Sequence, residues 1–348
     1  MAAEKTAQAA AQGKHDETIL VTGGTGFLAG WVIRYLLEDG YAVRATVRAL
    51  KKSEKVVSML QAEGVSTERL SFVACDLGSS DGWADAMQGV DAVIHTASPL
   101  GGDNMDDPNL IPVAVEGVEH VLDAAVAAGI RKVVMTSSEA ANYPDKKDPN
   151  PAVNEDFWTA ENNRWVTKYQ ISKLRAEKRA WEIVGAQDTT QLATILPGAI
   201  LGPNMAGRPS STDQIFSSIL TGNPSPNVIY PVGDVRDLAR LHILAMESPK
   251  ANGKRFIAES EEMTMPQMAR ILKEAYPDRK VSTMVVPDFL ISLMAHFQPA
   301  MKVLNTMVGL RYHRDNTRAR KLQGWNPRPA RETVLDTAAY LVKNGLVK

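Results

Sequence analysis

The chain has very little cysteine and no long apolar run. Its 348 residues include a single cysteine, Cys75, which excludes an intrachain disulfide and any cluster of thiolate metal ligands. No stretch of about 20 apolar residues occurs, so we expect no membrane span. Residues 1–17 are polar and alanine-rich and lack the apolar core of a secretory signal. We interpret them as a disordered tail and expect a cytoplasmic protein.

An excess of charge of one sign is also lacking. The 39 basic and 40 acidic residues leave a net charge of -1. Such a balance offers no electrostatic footprint for nucleic acid or an anionic membrane, and we expect neither as a partner. The six histidines show no HExxH or comparable spacing, so we expect no metal. A small-molecule ligand remains, bound by a monomer or a homodimer.

What the chain does have is a repeated alternation of short apolar strands and helix-length segments. This repetition predicts a parallel sheet covered by helices on both faces, an α/β fold of the doubly wound Rossmann type. We assign residues 18–200 to this domain, with 228–247 returning to it. We assign residues 201–227 and 248–348 to a smaller C-terminal substrate lobe. We expect this lobe over the carboxyl edge of the sheet, where ligands bind in open α/β folds.

A cluster of glycines, "TGGTGFLAG", follows the first predicted strand at residues 22–30. Glycine permits positive φ and close approach of backbone N–H groups, and the helix that begins here directs its positive dipole end to the same place. After the first strand of a βαβ unit, this pattern predicts a cradle for the pyrophosphate of a dinucleotide. Ala29 occupies the third small position, and we expect its methyl to face the helix–strand contact. The expected cofactor contacts are Gly23, Thr25, Gly26, Phe27 and Leu28.

The second predicted strand indicates which dinucleotide binds. NAD sites usually end this strand with Asp or Glu, which binds the ribose 2′-hydroxyl. Here "VRATVR" ends with Arg48, and several lysines follow, among them Lys55. A guanidinium can bind a 2′-phosphate that a carboxylate would repel, so we predict NADPH/NADP+ rather than NAD. Five residues at later strand ends are also expected along the cofactor: Asp76 and Leu77 near adenine, and Thr96, Ala97 and Ser98 near its middle.

Two further motifs carry candidate chemistry. In "YQISK", Tyr169 and Lys173 are four residues apart on a predicted helix, so their side chains share one face. A neighbouring ammonium, with the positive charge of an oxidised nicotinamide, favours the phenolate and lowers the tyrosine pKa from about 10. The pair could then move a proton to or from a carbonyl oxygen. "VVMTSS" ends the fifth predicted strand, where Ser137 or Ser138 could bind the substrate oxygen.

These motifs, in this order, resemble the extended short-chain dehydrogenase/reductase superfamily. "VRATVR", "HTASP", "TSSEAAN" and "LPGAILGP" resemble its dihydroflavonol-reductase-like branch, which includes cinnamoyl-CoA reductases and microbial aldehyde and ketone reductases. The resemblance implies a Rossmann-type sheet and a Ser-Tyr-Lys catalytic group, with Ser138 as its serine. It also implies that Tyr169 and Lys173 bind the cofactor, Lys173 at the nicotinamide ribose. The remaining implied contacts are Arg48 and Lys55 at the 2′-phosphate and Pro197 with Gly198 beside the carboxamide.

Other candidates are weaker. Pro99, Asn142, Tyr143 and Trp165 flank the main motifs and could line the substrate pocket. Glu139 follows Ser138, where many reductases have a small residue, and we interpret it as a solvated loop acid. We expect His95 to have a packing role. The methionine-rich segment 288–309 predicts one helix in the core of the lobe, with a pocket wall or a subunit contact as alternatives.

We therefore expect NADPH-dependent reduction of an aldehyde or ketone to an alcohol. Two alternatives stay open. An NAD-dependent nucleotide-sugar epimerase or dehydratase is disfavoured by Arg48 and by Ala140, which stands where such dehydratases have a second acid. A non-catalytic dinucleotide-binding regulator is disfavoured by the intact set of Ser138, Tyr169 and Lys173.

Overall fold

Strands and helices alternate along the first half of the chain, and shorter elements follow. The computed structural model describes residues 15–99, 104–145, 151–207, 210, 212–322 and 324–347, so most of the predicted tail 1–17 lies outside the described residues. The strands are Thr18–Val21 (β1), Ala42–Val47 (β2), Leu70–Ala74 (β3), Ala92–His95 (β4), Lys132–Thr136 (β5), Ala152–Val153 (β6), Gln191–Pro197 (β7), Ala199–Leu201 (β8), Ser225–Pro226 (β9), Ile229–Asp234 (β10), Lys254–Ala258 (β11), Glu261–Thr264 (β12), Val285–Val286 (β13) and His313–Arg314 (β14). The α-helices are Phe27–Glu38 (α1), Ser53–Ala62 (α2), Trp83–Met87 (α3), Leu110–Ala127 (α4), Lys168–Gly185 (α5), Asp213–Leu220 (α6), Val235–Glu247 (α7), Met265–Ala275 (α8), Asp288–Met294 (α9), Pro299–Met307 (α10), Thr317–Lys321 (α11) and Ala330–Lys343 (α12). Short 3-10 helices span Leu50–Lys52, Glu139–Asn142 and Pro249–Ala251.

Seven strands form the central sheet in the order β3-β2-β1-β4-β5-β7-β11, and all neighbours run parallel. The predicted doubly wound, Rossmann-type sheet is thereby confirmed. From β1 the chain proceeds outward through β2 and β3, then returns to β4 on the other side of β1. The strand order therefore switches between β1 and β4. In open parallel sheets a ligand crevice lies at the carboxyl ends of the strands at such a switch.

The alternation of side chains in β1 explains why both faces of the sheet are covered. Ile19 and Val21 belong to one apolar core, shared with α1, α2 and α7. Leu20 points the other way, into a second core shared with α3, α4 and α5. All three side chains are fully buried. Burying a side chain of this size contributes roughly 1.5–3 kcal/mol, so each face is stabilised by the helices packed on it.

The division between domain and lobe differs from the predicted one. Strand β11 was assigned to the lobe within 248–348, but it pairs with β7 and forms an edge of the central sheet. Its Phe256 is buried in the core shared with α1 and α7, which is why the strand belongs there. Within 228–247, helix α7 packs on the central sheet. Strand β10 instead joins β8 and β12 in a second, three-stranded sheet.

The lobe has its own apolar core, built from β8, β10, β12, α6, α8 and α12. The single helix predicted over 288–309 is two helices, α9 and α10. Pro299, at the start of α10, has no backbone N–H and cannot continue a preceding helix. The expected core role is also wrong for α9, because Phe289 is 69% and Leu293 56% exposed while Ile291 is buried. In the part of the chain that the structure describes, no helix is both long and apolar enough to cross a membrane.

Candidate active site

The glycine turn after β1 lies at the switch point of the sheet. The Gly23 N–H donates to Thr46 Oγ1 at 2.9 Å, and the Gly24 N–H to the Thr46 carbonyl at 2.8 Å, so the turn is bound to β2. Gly23 has a φ of +72°, and a Cβ there would lie 3.1 Å from the Cβ of Ala97. A Cβ on Gly26 would lie 3.1 Å from the Gly23 carbonyl oxygen. Positions 23 and 26 of the turn therefore favour glycine, which has no Cβ.

Helix α1 begins directly after this turn. Its N-cap is Gly26, and no described side chain caps it. The first-turn N–H groups of a helix have no partners within the helix, and the helix dipole makes this end attractive to an anion. Phe27 and Leu28 contribute such N–H groups here. Ala29 is buried in the core between α1 and the sheet, as expected for its methyl.

Hydrogen bonds connect the ends of β1 and β4 beside the turn. Thr96 Oγ1 donates to the Thr22 carbonyl at 2.6 Å, and the Ala97 N–H donates to Thr22 Oγ1 at 3.0 Å. The Nδ1 of His95 is hydrogen-bonded to the same hydroxyl at 2.8 Å. Burial, and secondarily the charge of Lys173, lower the pKa of His95 to about 4, so the ring is neutral. His95 is buried in a packing position, as expected, and holds the crevice wall.

Basic side chains follow β2, and an acidic one follows β3. Arg48 and Lys55 are exposed and make no hydrogen bond or ion pair with the described residues. Asp76, also exposed, accepts the Gly78 N–H at 2.9 Å, while the carbonyl of Leu77 is hydrogen-bonded to a histidine of α4 at 2.8 Å. These residues lie at the carboxyl edge where the sequence predicts them. Two cations that follow β2, the strand bound to the glycine turn, and that have no partner in the described part of the chain fit a phosphorylated ribose.

The first two turns of α5 carry Tyr169 and Lys173. Thr167 and Gln170 form a capping box, which satisfies the end of the helix and sets its starting point. The Tyr169 N–H donates to the Met105 carbonyl at 2.8 Å. One turn later the Lys173 ammonium is nearly buried. The helix therefore presents both side chains to the carboxyl edge of the sheet.

Two serine hydroxyls meet these two side chains. Ser138, two residues beyond the end of β5, hydrogen-bonds the Tyr169 hydroxyl. The Lys173 ammonium donates to Ser98 Oγ at 2.5 Å and lies 5.5 Å from the centre of the Tyr169 ring. The structure thus brings together Ser98, Ser138, Tyr169 and Lys173, at one edge of the sheet with the glycine turn.

The expected lowering of the Tyr169 pKa is not found in the protein chain. Burial raises this pKa, the hydrogen bond from Ser138 opposes the rise, and the charge of Glu139 adds to it. Burial also lowers the pKa of Lys173 to about 8. A tyrosine with a raised pKa stays protonated at neutral pH and is suited to donate a proton to an oxygen that gains negative charge.

Ser137, the other serine of the pair, is occupied elsewhere. It donates to the Glu177 carboxylate at 2.7 Å, and Glu177 is also paired with Arg255 at 2.8 Å. Arg255 stacks on the Trp158 ring at 3.6 Å. Sequence reasoning missed Glu177 and Arg255. The available signal was the spacing of Tyr169, Lys173 and Glu177, each one helical turn after the last, which places a carboxylate on the buried face of α5.

The interpretation of Glu139 as a solvated loop acid is wrong. Its side chain is largely buried and forms an ion pair with Arg314, whose own side chain is fully buried. Burial raises the pKa of Glu139, and Arg314 opposes that rise. A carboxylate removed from water needs such a partner, and residue 314 is too distant along the chain for sequence patterns to reveal it.

Two of the residues expected to line the substrate pocket have other contacts. Asn142 is fully buried, and its Nδ2 donates to the carbonyls of Asn154 and Phe157, both at 2.8 Å. Tyr143 is buried in a small apolar cluster with Val153 and Tyr312. Both side chains therefore support the loop after Ser138 and do not line an open pocket.

The remaining predicted positions are accessible or closely packed. Pro99 and Trp165 are half-buried, and the Arg164 guanidinium lies 4.8 Å from the centre of the Trp165 ring. Pro197 ends β7, and a Cβ on Gly198 would lie only 2.3 Å from the Pro231 carbonyl oxygen. Glycine is thus required where the sheet meets the lobe. Among the described residues, no group of three or more histidine, cysteine or acidic side chains could hold a metal ion.

Known proteins with similar sequences and structures include several reductases. The model of the NAD-dependent epimerase/dehydratase family matches residues 19–258. Cinnamoyl-CoA reductase 1 of Arabidopsis thaliana is 34% identical over 273 residues, 77% of this chain and 77% of that protein. Dihydroflavonol 4-reductase of Dianthus caryophyllus is 33% identical over 290 residues, covering 78% and 79%. Yeast methylglyoxal/isovaleraldehyde reductase Gre2, crystallised with NADPH, aligns with a TM-score of 0.79 and 26% identity over 95% of this chain and 100% of that one.

Proposed function

Because the chain belongs to the NAD-dependent epimerase/dehydratase family of extended short-chain dehydrogenase/reductases, we propose that it reduces an aldehyde or ketone to an alcohol with NADPH. The chain is an NAD(P)-dependent reductase of the extended short-chain dehydrogenase/reductase type. The observation that carries the finer proposal is the meeting of Ser138, Tyr169 and Lys173 at the sheet edge that also carries the glycine turn. There the Lys173 ammonium lies 5.5 Å from the centre of the Tyr169 ring, and Ser138 hydrogen-bonds the phenol.

The residues around the glycine turn fit NADPH. A Cβ on Gly23 or Gly26 would crowd neighbouring protein atoms, so glycine keeps this turn tight at the start of α1. No described side chain caps that helix, and its free N–H groups suit a pyrophosphate. The cations Arg48 and Lys55, which have no partner among the described residues, suit a 2′-phosphate. NADPH is the cofactor present in the yeast reductase structure. When bound, it supplies the hydride that adds to the carbonyl carbon.

The chain's own residues handle the carbonyl oxygen and its proton. In the proposed reaction the hydroxyls of Ser138 and Tyr169 donate hydrogen bonds to that oxygen and stabilise the negative charge that develops there. The phenolic O–H bond of Tyr169 then breaks as the O–H bond of the alcohol forms. The phenolate left behind is stabilised by Ser138 and by the nearby Lys173 ammonium. The raised pKa of Tyr169 supports this direction, because the phenol begins protonated.

The alternatives find less support. An epimerase or dehydratase on a nucleotide sugar would have no evident use for Arg48, and Glu139 is held by Arg314. A dinucleotide-binding regulator would have no need for Ser138 and Tyr169 in hydrogen-bond contact. We further propose that the lobe, including 201–227 and the segments after β11, binds the substrate over the carboxyl edge.

Replacement of Tyr169 by Phe tests the proposal directly. We expect Tyr169→Phe to lower kcat by about 10²–10⁴-fold, the usual contribution of a positioned acid, with NADPH affinity little changed. NADPH oxidation is followed by absorbance with a panel of aldehydes and ketones, and NADPH binding by fluorescence titration. Tyr276→Phe in the lobe serves as the matched control and should behave as the wild type. Near-wild-type turnover by Tyr169→Phe would overturn the proposed role of the phenol.

A further inference from the structure

A buried arginine reaches the turn that carries Ser138. Arg314 lies in β14, which pairs with β6, and its side chain is fully buried. Its Nη1 donates to the Glu139 carboxylate, and its Nη2 donates to the Asn142 carbonyl at 3.2 Å. Glu139 and Asn142 are the first and last residues of the 3-10 helix that follows Ser138. One guanidinium therefore holds both ends of this helix.

Ser138 is the N-cap of the same 3-10 helix. Its hydroxyl oxygen accepts the Ala140 N–H at 3.1 Å, and the same hydroxyl is hydrogen-bonded to Tyr169. A serine hydroxyl has one proton and two acceptor sites, so its orientation depends on where these partners lie. Any displacement of the helix moves Ala140 and turns the Ser138 hydroxyl. The position of that hydroxyl is thus linked to Arg314.

Several charged and titratable groups surround Glu139 and Arg314. The Glu262 carboxylate accepts the backbone N–H of Arg314 at 2.9 Å, and the Glu259 carboxylate lies 4.0 Å from the Arg314 guanidinium. Burial raises the pKa of Glu259 to about 8, so this carboxyl group is largely protonated at neutral pH. The Arg314 charge also lies 4.6 Å from the centre of the Tyr312 ring. The remaining titratable groups of the cluster are Tyr143, Tyr169, Tyr230 and His313.

We propose that Arg314 and Glu139 act together as positioning residues for the Ser138–Tyr169 pair. The guanidinium holds both ends of the 3-10 helix, and the carboxylate belongs to the residue that directly follows Ser138, the partner of the phenol. The inference rests on the proposed function, because it assigns these residues an effect on proton donation by Tyr169. It connects the lobe, through β14, to the chemistry at the sheet edge.

Glu139→Gln tests the electrostatic part and keeps the size of the side chain. Reduction requires Tyr169 to be protonated, so the rate falls as the pH rises through the pKa of Tyr169. The charge of Glu139 raises that pKa, so its removal should move the basic limb of the kcat profile to lower pH. The measurement is kcat against pH at saturating NADPH and carbonyl substrate. Glu161→Gln removes an exposed carboxylate that pairs with α5 and should leave the limb unchanged.

Arg314→Lys tests the positional part. Lysine keeps the positive charge, but its compact ammonium cannot bind the Glu139 carboxylate and the Asn142 carbonyl together, as the planar guanidinium of Arg314 does. We expect kcat to fall by about 10- to 100-fold, as for a small misplacement of a reacting group, while the KM for NADPH stays the same. Circular dichroism establishes that the variant folds. If it does not fold, Glu139→Gln, whose folding is established by circular dichroism in the same way, still tests the inference through its pH profile.

The outcomes separate this inference from the proposed function. A Glu139→Gln variant with the wild-type kcat and the wild-type basic limb overturns the inference, provided that Tyr169→Phe is inactive. A folded Arg314→Lys variant that weakens NADPH binding and kcat in equal measure also overturns it, because that result indicates a general loss of structure. Retained activity in Tyr169→Phe, in contrast, contradicts the proposed function itself.

Discussion

At the scale of single residues, Arg48 bears most directly on the choice of cofactor. It follows β2 directly, is exposed, and makes no ion pair with the described residues. Because the Arg48 guanidinium supports no other described residue, its replacement should affect ligand binding and leave the stability of the fold unchanged. Hydrogen bonds to charged groups contribute about 1.5–3 kcal/mol, which corresponds to roughly a 10- to 100-fold change in affinity.

We therefore expect Arg48→Asp to lower the ratio of kcat/KM for NADPH to that for NADH by at least about tenfold. Electrostatic repulsion of the 2′-phosphate by the new carboxylate adds to the loss of the guanidinium. The measurement is initial rates with each cofactor at a fixed carbonyl concentration. Lys254→Asp makes a similar charge change at the start of β11, on the opposite edge of the sheet, and should leave the ratio unaltered. An unchanged ratio in Arg48→Asp would contradict the role assigned to Arg48.

At the scale of elements, α5 is the helix on which the site depends. Its inward face carries Tyr169 and Lys173, and Glu177 follows one turn later. The buried Glu177 carboxylate accepts from Thr194 of β7 at 2.6 Å and pairs with Arg255 of β11. The helix is thus held against two strands by one carboxylate. Because Tyr169 and Lys173 share this helix, the ion pair also maintains their position over the sheet edge.

Removal of that carboxylate should destabilise the protein strongly. We expect Glu177→Gln to lower the free energy of unfolding by about 3–5 kcal/mol, because it leaves the buried Arg255 without its counter-charge. Urea denaturation followed by circular dichroism measures the change. Glu161→Gln breaks an exposed ion pair with Arg175 of the same helix and should cost at most about 1 kcal/mol. Equal losses in the two variants would refute the importance given to burial.

At the scale of the whole molecule, buried histidines connect stability to pH. His242 of α7 is hydrogen-bonded to the Leu238 carbonyl at 2.8 Å and to Thr136 of β5 at 2.7 Å. Burial lowers its pKa from 6.5 to about 4. Between pH 6.5 and about pH 4, the His242 imidazole therefore binds a proton in the unfolded chain but not in the folded chain. The contribution of His242 to stability is complete above pH 6.5 and is lost as the pH falls from 6.5 towards 4.

Comparison with His242→Gln isolates this effect from other titrating groups. The shift in the His242 pKa from 6.5 to about 4 corresponds to roughly 3 kcal/mol of unfolding free energy. The difference in free energy of unfolding between wild type and His242→Gln should change by up to that amount, in favour of the variant, between pH 7 and about pH 4. Urea titrations at several pH values measure it. A difference that stays constant across this range would show that His242 does not titrate as described.

Features that depend on neighbours in the chain could be predicted without the structure. The period of apolar residues indicated the strands and helices of the sheet. The glycine turn follows β1 directly, Arg48 follows β2, and Tyr169 and Lys173 are one helical turn apart, so each motif could be placed on its element. The doubly wound fold followed from these elements because parallel strands joined by helices have few permitted arrangements.

Contacts between groups far apart in the chain became visible in the folded protein alone. Arg314 lies 175 residues from Glu139 along the chain, and Arg255 lies 78 residues from Glu177. Neither pair leaves a local pattern, because burial and the partner of a charge depend on how separate elements pack. The same holds for β11, whose side chains alone did not indicate whether it extends the central sheet or the lobe. The shift of the Tyr169 pKa to higher values is likewise caused by burial, which is a property of the folded molecule and not of a motif.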